Sequence, residues 1–250
     1  MKAGKYNIKE LFVNRYVQQI IIPEIQRDYV WSEKQVIGLL DSIKIDYIRF
    51  KDASAPSIDS SDVELTKVFD EFYKRRNFSS NIGFIYAYND EQYSGKYFLI
   101  AAQQRITTIY LILLVLATKD EELKKKFFGN YLIGENLKLD YKVREASHNF
   151  INDFLKAVLN NITDFKNQNW YFLNLYDSDT TIKNWLNNFN IISNYIENNF
   201  YSEVIDFYNY LENQIDFWYF DTNISQQGEE LYIYMNARGE QMQSNENIKA

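Results

Sequence analysis

Cysteine is absent from the chain, and histidine occurs once, at His148. Without thiolates there is neither a disulfide framework nor a cysteine metal site, and one imidazole excludes histidine-based zinc sites and Ser-His-Asp catalysis. His148 lies beside an apolar stripe at helical spacing, a position where histidine is more often structural than catalytic. A chain without disulfides is typical of the cytoplasm, where we expect this protein.

Glycine and proline are also scarce, with 8 and 2 residues in 250, while aromatic residues make up 17% of the chain. So few turn-forming residues argue against a β-sandwich and favour helices joined by longer loops. The 46% of hydrophobic residues is enough to build the core of one large domain or two small ones. The composition therefore predicts a globular, mostly helical protein.

Basic residues are not in excess, because 27 Lys and Arg stand against 34 Asp and Glu, a net charge of -7. Any contact with nucleic acid would have to be local rather than spread over the surface. The first ten residues lack the apolar segment of a signal peptide. The longest apolar run, residues 106–117, is shorter than the roughly twenty residues that cross a bilayer, so it predicts a buried helix.

Hydrophobic periodicity predicts the remaining elements. Helical spacing marks residues 7–17, 36–43, 63–77, 150–158, 182–196, 204–211 and 229–236. Strand-like runs mark residues 20–22, 83–88, 93–100 and 215–221, of which the second and third form a hairpin. Ser32 and Gln35 form a capping box before the second helix. Residues 51–62 are loop by composition, and residues 247–250 begin another helix, which predicts further sequence beyond them.

The segment from Tyr97 to Thr108 is the most informative stretch. It passes from a short strand through Gln103-Gln104-Arg105 directly into the apolar helix. A helix start offers unpaired N–H groups and a positive dipole, so an arginine and two amides there predict a site for an anion such as phosphate. The alternative is that these are ordinary solvent-facing residues of a first helical turn.

Similar polar segments recur elsewhere. Gln26-Arg27 also lies between a predicted strand and a predicted helix, and Asn236-x-Arg238-Gly239 ends a predicted helix with a left-handed glycine cap. The order and rough spacing of these motifs over nearly the whole chain resemble the DUF262 family, the N-terminal domain of GmrSD-type modification-dependent restriction enzymes and related phage-defence proteins. The resemblance is carried by Ile22-Pro23-x-x-Gln26-Arg27-x-Tyr29-x-Trp31, Gln103-Gln104-Arg105-Ile106-Thr107-Thr108, Tyr141-x-x-Arg144, and Asn236-x-Arg238-Gly239 followed by Ile248-Lys249-Ala250.

The resemblance implies an α+β fold, with a ParB/sulfiredoxin-like small mixed sheet and helices followed by a mainly helical region. It implies a nucleotide-binding core in residues 1–118 and, in residues 119–250, a mainly helical region with a returning strand and the Asn-x-Arg-Gly motif. The implied ligands are a nucleoside triphosphate and Mg²⁺. The implied partners are DNA, in particular modified phage DNA, and a His-Asn-His-type nuclease domain in the full-length protein or on a separate chain. No membrane is implied, and a homodimer is left open.

Carried over residue by residue, the resemblance assigns Gln26 and Arg27 to the first motif and Gln103, Gln104 and Arg105 to the second. It implies that Arg27 and Arg105, with Gln104 beside them, are catalytic, since guanidinium donors match phosphate oxygens and stabilise charge that develops in transfer. The amides would orient phosphate, water or base. The implied nucleotide-binding set is Gln26, Gln103, Gln104, Arg105, Thr107, Thr108, Asn236 and Arg238.

The sequence departs from the family pattern at two positions. That pattern is Asp-Gly-Gln-Gln-Arg, and Ala101 and Ala102 take the place of its first two residues. The Asp is the natural candidate to hold Mg²⁺ or orient the attacking water, and the Gly permits close approach of the backbone to phosphate. We therefore expect weak or absent hydrolysis, with nucleotide still bound through Arg27 and Arg105. A deliberate inactivating double substitution and natural divergence both account for the change.

Three functions are consistent with these observations. The leading interpretation is the NTP-hydrolysing sensor domain of a modification-dependent restriction or anti-phage defence protein, in a disabled form. The alternative is a non-hydrolysing module that recognises modified DNA or a nuclease partner, in which tryptophans form a stacking cage. Most of the four tryptophans, Trp31, Trp170, Trp185 and Trp218, instead follow the periodicity of core positions. A third interpretation is a structural subunit that docks a nuclease.

Overall fold

The computed structural model describes residues 1–24, 26–53, 62–89, 95–142, 144–162, 164–173 and 176–222. The helices within these ranges are α1 Ile8–Val13, α2 Glu33–Asp52, α3 Val63–Asn77, α4 Gln103–Ala117, α5 Glu121–Tyr131, α6 Glu145–Leu159, α7 Asn169–Leu173, α8 Thr180–Phe200 and α9 Val204–Gln214, with a 3₁₀ turn at Tyr176–Ser178. The strands are β1 Gly4–Asn7, β2 Gln19–Ile22, β3 Ser80–Asn89, β4 Lys96–Leu99, β5 Leu132–Ile133, β6 Asn136–Leu137, β7 Leu139–Tyr141 and β8 Ile215–Asp221.

Six of the strands form one mixed sheet in the order β1-β8-β3-β4-β2-β7, and β5 and β6 form a separate two-stranded ladder. β2 lies between β4 and β7 and is parallel to both. β3 is antiparallel to β4 and parallel to β8, while β1 is antiparallel to β8. Because parallel strands end on the same side, the carboxyl ends of β4, β2 and β7 meet at one edge of the sheet.

Helix α4 lies at the centre of the core. Every residue of α4 except Arg105 is buried, as the apolar run predicts. Its side chains pack with those of α5, α8 and α9, and aromatic rings from several elements join the same cluster. A helix that is apolar on all sides needs such cover, so the other helices are arranged around it.

Helix α3 is the opposite case. The predicted helix at 63–77 is confirmed, but none of its residues is buried. Its apolar side chains are largely exposed, with Leu65 at 54%, Val68 at 60% and Phe72 at 61%. Asp62 caps its first turn by accepting from the N–H groups of Glu64 and Leu65, and such local bonds hold a helix start without tertiary packing.

The predicted α+β class is confirmed, and so are the predicted hairpin, now β3 and β4, and the capping box of Ser32 and Gln35. The opening helix is shorter than predicted, because Asn7 caps it and the chain becomes extended at Asn14. Strand β1 was not predicted, since the sequence Gly-Lys-Tyr-Asn has no apolar alternation. The sheet takes strands from both sides of residue 118, and the division into domains there stays a prediction, as does the likeness to ParB and sulfiredoxin.

Some predictions lie outside the described residues. They are most of the loop at 51–62, the turn of the hairpin, the helix at 229–236 and the motif with Asn236 and Arg238. In the part of the chain that the structure describes, no helix combines the length and the apolar character needed to cross a bilayer.

Candidate functional site

The sheet topology brings the two Gln-Arg motifs together. Gln26 and Arg27 follow β2, and Ala101 to Arg105 follow β4, at the edge where these parallel strands end. Together with Trp31 and Ile100 they line one cavity of about 230 Å³. The two segments are more than 70 residues apart in sequence, and a hydrogen bond from Gln26 to Ile100 joins them. They therefore form a single site.

The floor of this cavity is the start of α4. The helix follows Ala102, whose backbone has φ 71° and ψ 11°, the left-handed conformation that glycine adopts at low cost. No side chain in the described part of the chain caps this helix, and its first turn has no acidic residue. Its first N–H groups and its positive dipole end thus face the cavity without a protein anion.

Gln104 fastens the loop after β2 to α4. Its Oε1 accepts hydrogen bonds from the backbone N–H groups of Val30 at 2.9 Å and Trp31 at 3.2 Å. Its Nε2 donates to the carbonyl of Asp28 at 2.9 Å. All three bonds go to backbone groups of this loop, so the buried amide of Gln104 fixes the path of the chain beside Arg27.

Gln26 and Gln103 make the reciprocal connections. Gln26 donates from Nε2 to the carbonyls of Leu99 at 3.2 Å and Ile100 at 3.0 Å, at the end of β4. Gln103 donates from its amide to the carbonyl of Arg27 and to the hydroxyl of Tyr141 at the end of β7. The three glutamines therefore cross-link the ends of β2, β4 and β7.

The two arginines differ in how they are held. Arg105 is the exposed residue of α4, and its guanidinium donates to the carbonyl of Ile82 in β3. The contact is close because Gly83, with φ 94°, has no side chain there: a Cβ at Gly83 would lie 2.7 Å from Nη1 of Arg105. Arg27 is exposed, and its guanidinium makes no hydrogen bond or ion pair with any residue that the structure describes; only its backbone carbonyl is bonded, by Gln103.

Helix α8 holds the loop after β2 from the other side. Thr181 accepts from the N–H of Tyr29 at 3.1 Å, and Asn184 donates to the carbonyl of Tyr29 at 2.8 Å. Asn188, which is completely buried, donates to the hydroxyl of Tyr29 at 3.1 Å and to the carbonyl of Trp31 at 2.8 Å. The sequence reasoning missed these three residues. For Asn184 and Asn188 the signal was the asparagine-rich composition of this helix, since buried amides need specific partners; Thr181 gave no such signal.

Buried phenols complete this support. Burial raises the pKa of Tyr29 to about 12, although hydrogen bonds from Thr108 and Asn188 oppose the shift. Burial also raises the pKa of Tyr141 well above 10. Both hydroxyls therefore stay protonated at neutral pH and act as hydrogen-bonding groups rather than as bases.

The third predicted element of the family, Tyr141-x-x-Arg144, also reaches this edge. Tyr141 accepts from Gln103, and Arg144 pairs with Asp28 at 2.9 Å. The second carboxylate oxygen of Asp28 accepts from Thr181 at 3.4 Å. The Asp28 carboxylate is thus committed to partners outside the cavity lining.

Other predicted site residues have different positions. Thr107 and Thr108 are completely buried in α4 and do not line the cavity; Thr108 bonds to the Gln104 carbonyl at 2.8 Å and to the Tyr29 hydroxyl at 2.7 Å. Their contact with nucleotide stays a prediction, and Asn236 and Arg238 lie outside the described residues. Of the tryptophans, Trp185 is completely buried, Trp31 lines the cavity, and Trp218 is 43% exposed on β8.

A divalent metal would find few ligands here. Mg²⁺ prefers carboxylate, carbonyl and water oxygens in octahedral geometry, with one or two carboxylates as the usual protein ligands. Among the residues that the structure describes, no Asp or Glu lines the cavity, and Ala101 occupies the position where the family resemblance places an Asp. The side chains present suit an anion and do not fit Mg²⁺.

Two other features lie away from this site. A larger cavity of about 700 Å³ between α2, α3 and α9 contains none of the motif residues, and its charges are mixed, with Lys51 and Arg75 beside Glu71 and Asp206. His148 bonds through Nδ1 to Asp140 at 2.6 Å and does not line the motif cavity. Neither feature shares the chemistry of the two arginines, so we take the smaller cavity as the candidate site.

Comparison with known proteins agrees with the motifs. The family model described as the GmrSD restriction endonuclease N-terminal domain matches residues 8–250. A search of the curated proteins found no match. Since the family match spans nearly the whole sequence and includes every element of the cavity, this chain belongs to the family of GmrSD restriction endonuclease N-terminal domains and is thus part of a restriction system.

Proposed function

We propose that the chain is a nucleotide-binding sensor domain of a modification-dependent restriction or anti-phage defence system, with weak or no NTP hydrolysis. The observation that carries the proposal is the cavity in which Arg27, Arg105 and the uncapped start of α4 converge. Guanidinium groups bind phosphate oxygens through paired donors, and a helix start adds N–H groups and a favourable dipole.

The amide cross-links support a site that is formed before its ligand arrives. Gln26, Gln103 and Gln104 hold the loops at fixed distances through bonds to backbone groups. A site held in this way loses little conformational entropy on binding. The Arg27 guanidinium, which has no partner among the described residues, has the freedom to close on a bound phosphate.

The family gives the proposal its biological context. A restriction system acts on DNA, so we expect the domain to work with a nuclease domain, in the same protein or on a partner, and with modified phage DNA as the target. With a net charge of -7, such DNA contact would use a local surface rather than the whole protein. Bound nucleotide would then signal or control the state in which the domain is engaged with DNA and the nuclease.

The test is NTP hydrolysis in the presence of Mg²⁺ by the chain and by a variant with Ala101→Asp and Ala102→Gly. We expect turnover only in the double variant, because Asp supplies a metal and water ligand that the present cavity lacks. A second double variant, Ala101→Asn with Ala102→Gly, controls for the backbone change and should stay inactive. If the Asp variant folds but neither binds nor hydrolyses a nucleotide, the nucleotide role of the cavity is wrong.

A second candidate function is a binding module without turnover that recognises modified DNA or a nuclease partner. The lack of any carboxylate among the described lining residues favours it, since binding needs no metal or general base. Titration of modified and unmodified duplexes over a range of salt concentrations tests it. Preference for the modified duplex, with affinity that falls steeply as salt increases, would support direct DNA recognition by this chain.

A further inference from the structure

We infer that the cavity binds the nucleoside triphosphate in its metal-free form, so that Mg²⁺ competes with the protein for the phosphates instead of helping to bind them. The inference rests on the proposed function, because it concerns the ligand of the same cavity. It differs from the family expectation of an Mg²⁺-dependent site and follows from the groups that line the cavity.

The first step is the supply of metal ligands. Among the described lining residues the side-chain oxygens belong to three amides, and Gln104 already uses its oxygen for the N–H groups of Val30 and Trp31. Gln26 and Gln103 use their nitrogens for carbonyls, which leaves only neutral amide oxygens toward the cavity. Neutral oxygens without a carboxylate are a poor site for Mg²⁺, which gives up its water reluctantly.

The second step is charge. The lining carries two permanent positive charges, Arg27 and Arg105, and no negative charge among the described residues. The loop carboxylate of Asp28 is paired with Arg144 at 2.9 Å, and neither Asp28 nor Glu24 lines the cavity. A polyphosphate chain is most complementary to such a lining when no cation has neutralised it, because a divalent ion cancels much of the charge that the arginines would meet.

The third step is geometry. The Arg105 guanidinium is held at the Ile82 carbonyl, while Arg27 lies on the loop that Gln103 and Gln104 fasten to the start of α4. Arg105 thus belongs to the first turn of α4 and Arg27 to the loop after β2, and both line the cavity at the helix start. In this arrangement the arginines and helix N–H groups take the positions around the phosphates that a metal and its carboxylates fill elsewhere.

The experiment is calorimetric titration of the folded chain with ATP and GTP, once with excess EDTA and once with excess Mg²⁺. We expect binding in EDTA to be about fivefold tighter, the effect of one ion pair in water. Inorganic tripolyphosphate should compete in EDTA, because the phosphates supply most of the contacts. The variant with Arg27→Gln and Arg105→Gln should lose binding in both buffers while it still unfolds cooperatively in urea.

Two single variants test the sign of the metal effect. In Ala101→Asp, nucleotide should bind more tightly with Mg²⁺ than with EDTA, since the new carboxylate repels metal-free nucleotide and provides a ligand for Mg²⁺. Ala101→Asn has nearly the same size without the charge, and its preference for metal-free nucleotide should remain.

The outcomes separate the inference from the proposed function. If nucleotide binds only with Mg²⁺, the inference is wrong and the nucleotide-binding function stands. If the folded chain binds nucleotide in neither buffer, the nucleotide-binding function fails and the inference fails with it. If binding survives the double arginine variant, nucleotide binds elsewhere on the chain and the assignment of this cavity is wrong.

Discussion

At the scale of single residues, Ala102 is the clearest point of strain. An L-residue with a side chain at φ 71° brings its Cβ close to the neighbouring backbone, and glycine avoids this contact. We expect Ala102→Gly to raise the free energy of unfolding by about 1 kcal/mol, the usual cost of alanine in this conformation. Urea unfolding of both proteins measures the difference.

The adjacent alanine provides a matched control. Ala101 is not among the residues with positive φ in the described part of the chain. Ala101→Gly should therefore lower the stability by about 0.5 kcal/mol, because it only adds freedom to the unfolded chain. The same sign for both substitutions would contradict the role assigned to the left-handed backbone at Ala102.

Gly83 links backbone conformation to the site. Its φ of 94° and the 2.7 Å between an added Cβ and Nη1 of Arg105 mean that Gly83→Ala strains β3 and displaces the guanidinium. We expect a loss of about 1–2 kcal/mol in the free energy of unfolding. Gly129→Ala in α5, where an added Cβ meets no atom within 4 Å, should instead be neutral or stabilising by up to about 1 kcal/mol.

At the scale of elements, the contact between the loop after β2 and α4 depends on Gln104. Gln104→Ala removes three hydrogen bonds to backbone groups, with an expected cost of about 2 kcal/mol. Gln104→Glu keeps the acceptor for Val30 and Trp31 but places a carboxylate oxygen against the Asp28 carbonyl, so it should also be less stable than the parent. Equal stability of Gln104→Ala and the parent in urea unfolding would show that the loop does not need this amide.

Helices α3 and α4 are expected to differ in local stability. All of α4 except Arg105 is buried, and no residue of α3 is buried. Amide hydrogen exchange should therefore be fast throughout α3, by local opening, and in α4 should require global unfolding. Equal protection of both helices would mean that another surface covers α3, and a dependence of that protection on protein concentration would identify a second copy of the chain.

The sequence predicted these elements better than it predicted their contacts. Periodicity located α4, α8 and α9 and the hairpin of β3 and β4, because each has an apolar pattern of its own. It could not show that the amides of Gln103 and Gln104 bond to backbone groups of residues 27–31, since any backbone offers the same donors and acceptors. The left-handed Ala102 was equally hidden, because alanine itself gives no sign of such a conformation.

At the scale of the whole molecule, the many buried tyrosines predict sensitivity to alkaline pH. Burial raises the pKa of Tyr29, Tyr176 and Tyr210 from 10 to about 12. Below pH 10 the phenols are protonated in both states, so their contribution to stability is constant. Above pH 10 the unfolded chain releases protons that the folded chain keeps, so the free energy of unfolding falls as the pH rises toward 12.

Unfolding by urea at a series of alkaline pH values, with tyrosinate absorbance recorded in parallel, measures this decline. Tyr29→Phe removes one of the groups and should reduce the slope by up to about 1.4 kcal/mol per pH unit, whatever its effect on stability at neutral pH. A slope equal to that of the parent would mean that the Tyr29 phenol ionises alike in the folded and unfolded chains.

The strand order has a consequence for synthesis on the ribosome. Among the strands that the structure describes, β1 pairs with β8 alone, Gly4 opposite Tyr219 and Asn7 opposite Asp216, and β8 also separates β1 from β3. β1 leaves the ribosome well before its partner, because β8 is translated more than 200 residues later. At about 5–20 residues per second, β1 waits roughly 10–40 s with its edge unpaired. Its sequence, Gly-Lys-Tyr-Asn, is polar and charged, which suits a nascent segment that must not find another partner first.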